Sequence, residues 1–299
     1  MKQPVTPRKR RHPRVQIKIQ NGRFQVQGLG SWHAYWRDPY HLLLTVPWFI
    51  FVIILVIFYL GINALFALLY LLQPNAIANA RPGSFLDAFF FSVQTLATVG
   101  YGSMYPQTVY ANAVVTAQSM IGLMSVAVTT GLAFARFSRP TARVLFSNVA
   151  VISPYNDMPT LMLRTANQRR NQVLEAQIQL YLMRDEISRE GYALRRFYEL
   201  KLLRHRTASF TLSWTVMHPI DEQSPLYGMT PEALIQSRVT LIASLSGIDE
   251  TVMQPIYARY TYGAQDILWN HRFVDIFHDT PDGHRYLDYT YFHKTIPLH

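Results

Sequence analysis

Cysteine is absent from the 299 residues, which excludes disulfides and thiolate metal sites. Charge is absent from two long runs, one from Leu42 to Ala80 and one from Ala88 to Ala135. Soluble proteins rarely contain two such runs, because their helices and strands alternate polar and apolar faces. The sequence therefore predicts a protein that crosses a membrane.

Signatures of catalysis are also lacking. The sequence contains no nucleophile elbow, no phosphate-binding glycine loop and no pair of carboxylates in a catalytic pattern. No two histidines in its second half stand at a spacing typical of metal ligands. We therefore predict no enzymatic activity and no organic cofactor. These histidines are predicted to be polar surface or satisfied core residues, with a pH sensor as the alternative.

Positive charge is concentrated outside the two apolar runs. The net charge is +10, and the stretch between the runs carries only Arg81 and Asp87. By the positive-inside rule both flanks are cytoplasmic, so we predict a multi-pass protein of the cell (inner) membrane with both termini in the cytoplasm. Nucleic-acid binding is the alternative for the basic N-terminus, and we disfavour it because the adjacent spans explain the charge. The flanking basic residues are Arg8, Lys9, Arg10, Arg11, Arg14, Arg136, Arg139 and Arg143.

The first apolar run predicts one long span, and the second run begins with a shorter helix. The span covers residues 42–72, and Pro47 is tolerable in its first turns. Ser84 is followed three residues later by Asp87, which is a capping pattern that predicts a helix over residues 85–97. That helix is too short to cross a membrane.

The rest of the second run predicts a loop and then another span. Gly100, Gly102 and Pro106 interrupt the helical pattern, and residues 110–134 are long and apolar enough to cross. Irregular backbone at membrane depth is tolerated only where it is buried in protein or lines an aqueous path. The order of span, short helix, loop and span therefore indicates a pore.

The loop between the short helix and the second span reads TVGYG. Dehydration of a potassium ion requires protein oxygens in place of water oxygens, and successive backbone carbonyls that face one side provide them. The two glycines permit the required dihedral angles, and the tyrosine is predicted to pack outward and brace the loop. One chain supplies one loop and a carbonyl ring needs four, so we predict a homotetramer. The residues predicted to bind potassium are Thr98, Val99, Gly100, Tyr101 and Gly102.

The second half of the chain has the pattern of a β-sandwich. Phe210, Leu212, Trp214 and Val216 alternate with polar residues, which predicts one half-buried strand. Thr230 before a proline predicts the cap of one short helix. The chain is thus divided into a basic tail with an interfacial helix (residues 1–41), a transmembrane pore domain (residues 42–138) and a β-sandwich regulatory domain (residues 139–299).

Several segments together resemble the inward-rectifier potassium channels, and in particular their prokaryotic, KirBac-type branch. The resemblance extends over about residues 31–290 and implies an immunoglobulin-like cytoplasmic domain and an amphipathic slide helix around Trp32–His41. The segments that carry it are the TVGYG loop, Ala135–Pro140 (ARFSRP), Arg164–Arg169 (RTANQR), Met217–Tyr227 (MHPIDEQSPLY), Ile267–Trp269 (ILW) and Arg272–Asp275 (RFVD).

The resemblance assigns roles on the second span. It implies a pore-facing stripe that ends at a gate at Phe134, where four aromatic rings close the path by dewetting. Gly122 and Gly131 are candidate hinges, with close helix packing as the alternative. Val126 stands where strongly rectifying relatives have an acidic residue, so we expect weak block by polyamines. The stripe consists of Gln118, Gly122, Val126, Thr130 and Phe134.

Lipid contacts are predicted at the membrane surface, for Trp32, Trp36, Arg136 and Arg139 toward anionic headgroups. The predicted function is passive potassium conduction by a homotetramer whose inner gate responds to the cytoplasmic domain and to an unidentified cytoplasmic regulator. The alternative function is a membrane-anchored receptor that binds a ligand or partner and conducts no ions.

Overall fold

The computed structural model describes residues 16–20, 22–27, 38–169, 171–279 and 281–298. The chain forms two compact units. One unit is Ser31–Arg139, and the other combines Met1–Gly30 with Pro140–His299. Each unit has its own buried core.

A β-hairpin lies near the N-terminus, within the segment that the sequence analysis described only as a basic tail. Strands β1 (Gln16–Gln20) and β2 (Arg23–Gln27) pair antiparallel, and both belong to the unit that contains the C-terminal half. Gly22 in the turn has φ +68°, and its carbonyl accepts a hydrogen bond of 2.9 Å from the Thr261 amide. A Cβ at Gly22 would lie 2.2 Å from the Tyr260 ring, so the close approach requires glycine.

The first predicted span is two helices. Helix α1 (Pro39–Thr45) and helix α2 (Trp48–Leu71) are separated at Val46, whose ψ of 151° is extended. Pro47 causes this break, since it disfavours helical geometry in the residue before it. The prediction of a continuous helix through Pro47 is therefore wrong. Helix α2 has 24 residues and, at about 1.5 Å per residue, is close to the length that a membrane requires.

The rest of this unit follows the predicted order. Strand β3 (Ile77–Ala78) pairs with β4 (Tyr105–Pro106) on either side of helix α3 (Phe85–Leu96), and helix α4 spans Val109–Phe137. Helices α2 and α4 are both long and apolar enough to cross a membrane. Helix α3 has 12 residues, about 18 Å, and is too short to do so.

The start of α3 is fixed by a side-chain cap and an ion pair. The Ser84 hydroxyl accepts a hydrogen bond of 3.3 Å from the Asp87 amide, as the sequence predicted. The Asp87 carboxylate does not complete the capping box at Ser84. It accepts instead from the backbone amide and guanidinium of Arg81, at 2.8 to 2.9 Å. The negative charge remains at the helix N-terminus, where the helix dipole favours it.

The second unit is a sandwich of two five-stranded sheets around one core. One sheet has the order β11-β7-β6-β14 with β5 beside β7, and the other has the order β10-β8-β12-β13 with β9 beside β8. The strands and the short helix are β5 (Val144–Phe146), β6 (Ala150–Tyr155), β7 (Met158–Asn167), β8 (Val173–Ile187), β9 (Ala193–Glu199), β10 (Arg206–Phe210), β11 (Ser213–Pro219), α5 (Pro231–Gln236), β12 (Thr240–Asp249), β13 (Gln254–Gly263) and β14 (Ile267–Trp269).

Smaller elements follow the sandwich. Strand β15 (His271–Phe273) pairs with β18 (Thr295–Pro297), and β16 (Phe277–Asp279) pairs with β17 (Arg285–Leu287). Phe292 is fully buried in a small cluster with Ala166 of β7 and Ile276. The C-terminal segment is therefore packed onto the sandwich.

Alternating burial produces the core between the sheets. Ile178, Leu180 and Leu182 of β8 are at most 1% exposed, and Leu163 and Val216 of the facing sheet are fully buried. These residues project inward because successive side chains of a strand point to opposite faces. The core forms as the period-two pattern predicted.

The predicted strand through Phe210, Leu212, Trp214 and Val216 is wrong. Strand β10 ends at Phe210 and β11 begins at Ser213, and the two strands belong to different sheets. Leu212 lies in the connection, is 53% exposed, and accepts a backbone hydrogen bond from Asn167. Alternation alone does not distinguish one long strand from two that meet at a corner between sheets.

His218 is a satisfied core histidine, 3% exposed. Its Nδ1 lies 2.7 Å from the Lys201 carbonyl, which can only accept, so Nδ1 carries the hydrogen. Its Nε2 lies 2.8 Å from the Ser224 hydroxyl and accepts a hydrogen bond from it in the neutral ring. Burial lowers the pKa of His218 below its ordinary value, and this effect exceeds the opposing influence of the Lys201 carbonyl and Asp221.

The lowered pKa of His218 predicts that the free energy of unfolding decreases in acid. The unfolded ring protonates near its ordinary value of 6.5, whereas the folded ring stays neutral to lower pH. The stabilisation is therefore complete above about pH 6.5 and is lost as the pH falls toward the folded pKa, by at most about 1.4 kcal/mol per pH unit. The measurement is the thermal midpoint of the full chain in detergent between neutral pH and about pH 5.

The matched variants are His218→Gln and His205→Gln, since His205 is exposed. We expect His218→Gln to flatten the pH dependence of the midpoint and His205→Gln to leave it as in the wild type. A steep acid decrease that persists in His218→Gln would contradict this assignment.

Candidate functional site

The loop after α3 has an unusual backbone. Thr98, Gly100 and Gly102 have φ of +55°, +56° and +80°, whereas Val99 and Tyr101 between them have no positive φ. In an ordinary strand successive carbonyls point to opposite sides, but residues of alternating handedness can direct them to one side. The two glycines adopt the left-handed region without strain. The loop is therefore suited to presenting a row of backbone oxygens.

Thr98 adopts the left-handed region without being a glycine. For a β-branched residue this conformation is strained, and such strain persists only where neighbouring contacts enforce it. Two hydrogen bonds to the last turn of α3 do so: the Thr98 amide donates to the Thr95 carbonyl at 3.1 Å, and the Val99 amide donates to the Gln94 carbonyl at 2.9 Å. From the sequence, unusual backbone geometry was predicted only at the two glycines. The strain at Thr98 was missed, because no residue pattern indicates it.

The loop has few neighbours within its own chain. Residues 97–103 are exposed, and the side chains of Val99 and Tyr101 are 48% and 75% exposed. A Cβ at Gly100 or Gly102 would meet no atom within 4 Å. The predicted outward packing of Tyr101 therefore has no partner among the described residues. Apolar and strained residues at membrane depth need such partners, which a neighbouring chain would have to supply.

The outer end of the loop is tied to the strand pair β3–β4. The Asn79 side-chain amide donates a hydrogen bond of 2.8 Å to the Ser103 carbonyl, and the Gln107 amide donates to the Ala76 carbonyl at 2.8 Å. The loop is thus held at both ends, by α3 on one side and by β3–β4 on the other.

The predicted stripe on α4 does not lie on one face. Residues four positions apart differ by about 40° around a helix, so the direction changes by about 160° between Gln118 and Phe134. Gln118 and Gly122 are buried against their own chain, whereas Val126 and Phe134 are 64% and 72% exposed and Thr130 is also exposed. The prediction of a single pore-facing stripe is therefore wrong for Gln118 and Gly122.

The two candidate hinge glycines differ in their surroundings. A Cβ at Gly122 would lie 2.8 Å from the Leu96 carbonyl oxygen, so Gly122 allows α4 to approach the end of α3. This contact favours close packing, the alternative role. A Cβ at Gly131 would meet no atom within 4 Å, so Gly131 is not required for packing within the chain.

Two arginines predicted to contact lipid donate hydrogen bonds to backbone carbonyls. Arg136 Nη2 donates to the Val46 carbonyl at 2.6 Å, and Nη1 donates to the Leu43 carbonyl. These carbonyls lie at the C-terminal end of α1, where helical carbonyls lack partners and favour positive charge. Arg139 Nη1 donates to the Leu44 carbonyl at 3.2 Å in the same way.

Aromatic rings cover the same guanidinium. Arg136 Cζ lies 4.7 Å from the centre of the Trp48 ring and 4.6 Å from that of Phe51, which are cation–π contacts. Arg136 therefore joins α1 to the end of α4. The other two lipid-contact candidates, Trp32 and Trp36, lie outside the described residues, as does most of the predicted slide helix.

Metal-ligating clusters are absent from the described residues, where no three His, Asp or Glu side chains could together hold a metal ion. The unit Ser31–Arg139 is called the pore unit below. Its two acidic side chains, Asp38 and Asp87, are bound as a helix cap and an ion-pair partner.

Comparison with known proteins identifies the family. A model described as the inward rectifier potassium channel C-terminal domain matches residues 144–299, and one described as ion channel matches residues 48–139. The inward rectifier potassium channel Kirbac3.1 of Paramagnetospirillum magnetotacticum is 48% identical over 285 residues, which are 95% of this chain and 96% of that protein.

A mammalian relative is similar over a smaller part of this chain and of its own length. Inward rectifier potassium channel 4 of Homo sapiens is 34% identical over 226 residues, 72% of this chain and 50% of its own length. Among solved structures, the sporulation control protein Spo0M of Bacillus subtilis aligns at 9% identity over 44% of this chain and 50% of that chain, with a TM-score of 0.24 that supports no inference.

These matches cover both units of the chain, and they agree with the two spans, the short helix with its TVGYG loop, and the β-sandwich. They give no support to the alternative of a receptor without ion conduction. The chain therefore belongs to the inward-rectifier potassium channel family, in its prokaryotic branch, and is a potassium channel subunit.

Proposed function

We propose that four copies of this chain surround one axis and conduct potassium passively, with Thr98–Gly102 as the ion-binding filter. The observation that supports this most is the alternating handedness at Thr98, Gly100 and Gly102, combined with the exposure of the whole loop in a single chain. A ring of carbonyls around a dehydrated ion needs four such loops. The channel is placed in the cell (inner) membrane with both termini in the cytoplasm.

The position of α3 adds an electrostatic argument for this filter. The helix ends at Leu96, two residues before Thr98, so its C-terminal carbonyls adjoin the loop. The C-terminal end of a helix carries about half a negative charge, which favours a cation nearby. The proposed ligands are neutral oxygens together with this helix end, and potassium is the conducted ion rather than a resident cofactor.

The inner part of α4 supplies the path and its gate in this proposal. Val126, Thr130 and Phe134 are exposed in the single chain, as residues facing a shared axis would be. Four phenyl rings at Phe134 would narrow the path and exclude water, which closes it to ions. Gly131 is the proposed hinge, since its surroundings leave room for α4 to bend. The β-sandwich is the proposed regulatory domain.

Anionic lipid remains a proposed partner, with a revised set of contacts. Arg136 is half-buried and bonded to the end of α1, so its part in lipid binding is secondary to that contact. Arg139 is exposed and keeps donors beyond its single hydrogen bond to Leu44, so it is better suited to a lipid phosphate than Arg136.

The filter assignment predicts that Gly100→Ala abolishes potassium-selective flux without dissociating the tetramer. An alanine at φ +56° costs about 1–2 kcal/mol in each copy, and relief of that cost would rotate a carbonyl away from the axis. The measurement is rubidium uptake into potassium-loaded liposomes, with tetramer content determined by size-exclusion chromatography.

The matched control is Gly83→Ala. Gly83 has φ +72° and open space around it, but it lies in the turn before α3. We expect Gly83→Ala to retain selective uptake. Selective uptake that survives in Gly100→Ala tetramers would exclude this filter.

The gate assignment predicts that Phe134→Ala raises basal rubidium uptake several-fold with selectivity unchanged. A methyl group in place of the ring widens and hydrates the constriction, while the filter is not altered. Phe137→Ala is the control, because Phe137 is 76% exposed on the same helix end but differs in direction and contacts Trp48. Equal uptake by the wild type and Phe134→Ala would place the constriction elsewhere.

A further inference from the structure

A fully buried hydrogen-bond network connects helices α2, α3 and α4 of the pore unit. It consists of Asn63 and Tyr70 on α2, Ser92 on α3 and Gln118 on α4, and each of these residues is at most 1% exposed. The sequence analysis considered only Gln118 among them and placed it toward the pore. The network is instead the polar centre of an apolar unit.

The Gln118 side chain is the centre of this network. Its Nε2 donates to the Ser92 carbonyl at 2.9 Å and to the Ser92 hydroxyl at 2.7 Å, and its Oε1 accepts from the Tyr70 hydroxyl at 2.6 Å. A backbone carbonyl can only accept, so the atom that faces it must be the amide nitrogen. The amide orientation is thereby fixed, and both amide hydrogens have partners.

From Ser92 the network continues to Asn63 on α2, with each group donating to the next. The Ser92 hydroxyl donates to Asn63 Oδ1 at 2.8 Å, and Asn63 Nδ2 donates to the Tyr59 carbonyl at 2.8 Å. Every hydroxyl group and side-chain amide nitrogen from Tyr70 to Asn63 therefore has at least one partner. A buried network of this kind favours one arrangement of the helices, since a rotation leaves groups unpaired.

A second contact lies one turn further along both helices. Gly122, four residues after Gln118, meets the carbonyl of Leu96, four residues after Ser92. Helix α4 therefore contacts α3 at two successive turns, by hydrogen bonds at the first and by close backbone approach at the second. The second contact is two residues before Thr98.

We propose that Gln118, Ser92, Asn63 and Tyr70 are positioning residues for the selectivity filter, which hold α3 at one rotation and height so that the Thr98–Gly102 carbonyls face the axis. This inference rests on the proposed function, because the network is assigned the role of holding the filter accurately enough to discriminate between ions. The network contacts no ion. It acts through Ser92, which precedes the filter by one and a half helical turns.

Polar groups are suited to this role inside a membrane. Apolar side chains on α3 could pack against α2 and α4 in several rotations, because lipid tails offer nearly the same environment as the neighbouring helices. A buried hydrogen-bonding group has no comparable alternative, since no water is available to satisfy it. Four polar residues therefore specify one orientation of a helix that is otherwise held by nonspecific contacts.

The test compares selectivity in two tyrosine variants that differ in one respect. Tyr70→Phe removes the hydroxyl that bonds Gln118, and Tyr110→Phe removes a hydroxyl that donates to the Leu69 carbonyl at 3.0 Å. Both hydroxyls connect α2 with α4, but only Tyr70 belongs to the network that reaches α3. Gln118→Met removes all of the bonds made by the amide at similar side-chain volume.

The measurement is the ratio of rubidium to sodium uptake in liposomes, normalised to the amount of assembled tetramer. We expect the ratio to fall about tenfold in Gln118→Met, to fall by a smaller factor in Tyr70→Phe, and to equal that of the wild type in Tyr110→Phe. A merely structural role would lower the yield of tetramers and leave the ratio per tetramer unchanged.

The outcomes separate this inference from the proposed function. A wild-type ratio in both Tyr70→Phe and Gln118→Met tetramers overturns the positioning role, and so does an equal fall in Tyr70→Phe and Tyr110→Phe. If Gln118→Met forms no tetramers, the two tyrosine variants decide the question. A wild-type protein that does not prefer rubidium to sodium overturns the proposed function together with this inference.

Discussion

The left-handed backbone at Thr98 is the constraint on which the pore unit depends. A β-branched residue adopts this conformation only under enforcement, and at membrane depth an irregular backbone must be buried in protein or line an aqueous path. The last turn of α3 supplies two hydrogen bonds, and Asn79 fixes the outer end of the loop. Neither contact fixes the position of α3 itself, so α2 and α4 must hold this helix in place.

The first half of helix α4 holds α3 in place, and its second half carries exposed residues. Gln118 and Gly122 fix α3, whereas Val126, Thr130 and Phe134 are exposed and available to a shared axis. The gradual rotation of about 40° for each step of four residues makes this change of face possible without a kink. In the proposed tetramer, the first half of one continuous helix supports the filter and its second half forms the gate.

At the C-terminal end of α4, a charged side chain likewise depends on partners from other helices. Arg136 donates to carbonyls that the break at Pro47 leaves without helical partners, and Trp48 and Phe51 cover its guanidinium. Both Nη atoms of a cation that would be costly near lipid thereby have carbonyl partners at the end of α1. The proline that interrupts the apolar run thus creates the group of free carbonyls through which α1 is joined to the C-terminal end of α4.

The sequence by itself determined the two spans, the short helix, the TVGYG loop, the β-sandwich and the family, because charge-free runs, helix caps and period-two alternation are local patterns. Tertiary structure decided where those patterns end and which partners they have. The change of sheet after Phe210 and the burial of Gln118 depend on contacts between residues far apart in the chain. The break at Pro47, by contrast, is a local effect, because proline disfavours helical geometry in the residue before it. The strain at Thr98 has no signature in the sequence, since it results from how neighbouring groups hold the backbone.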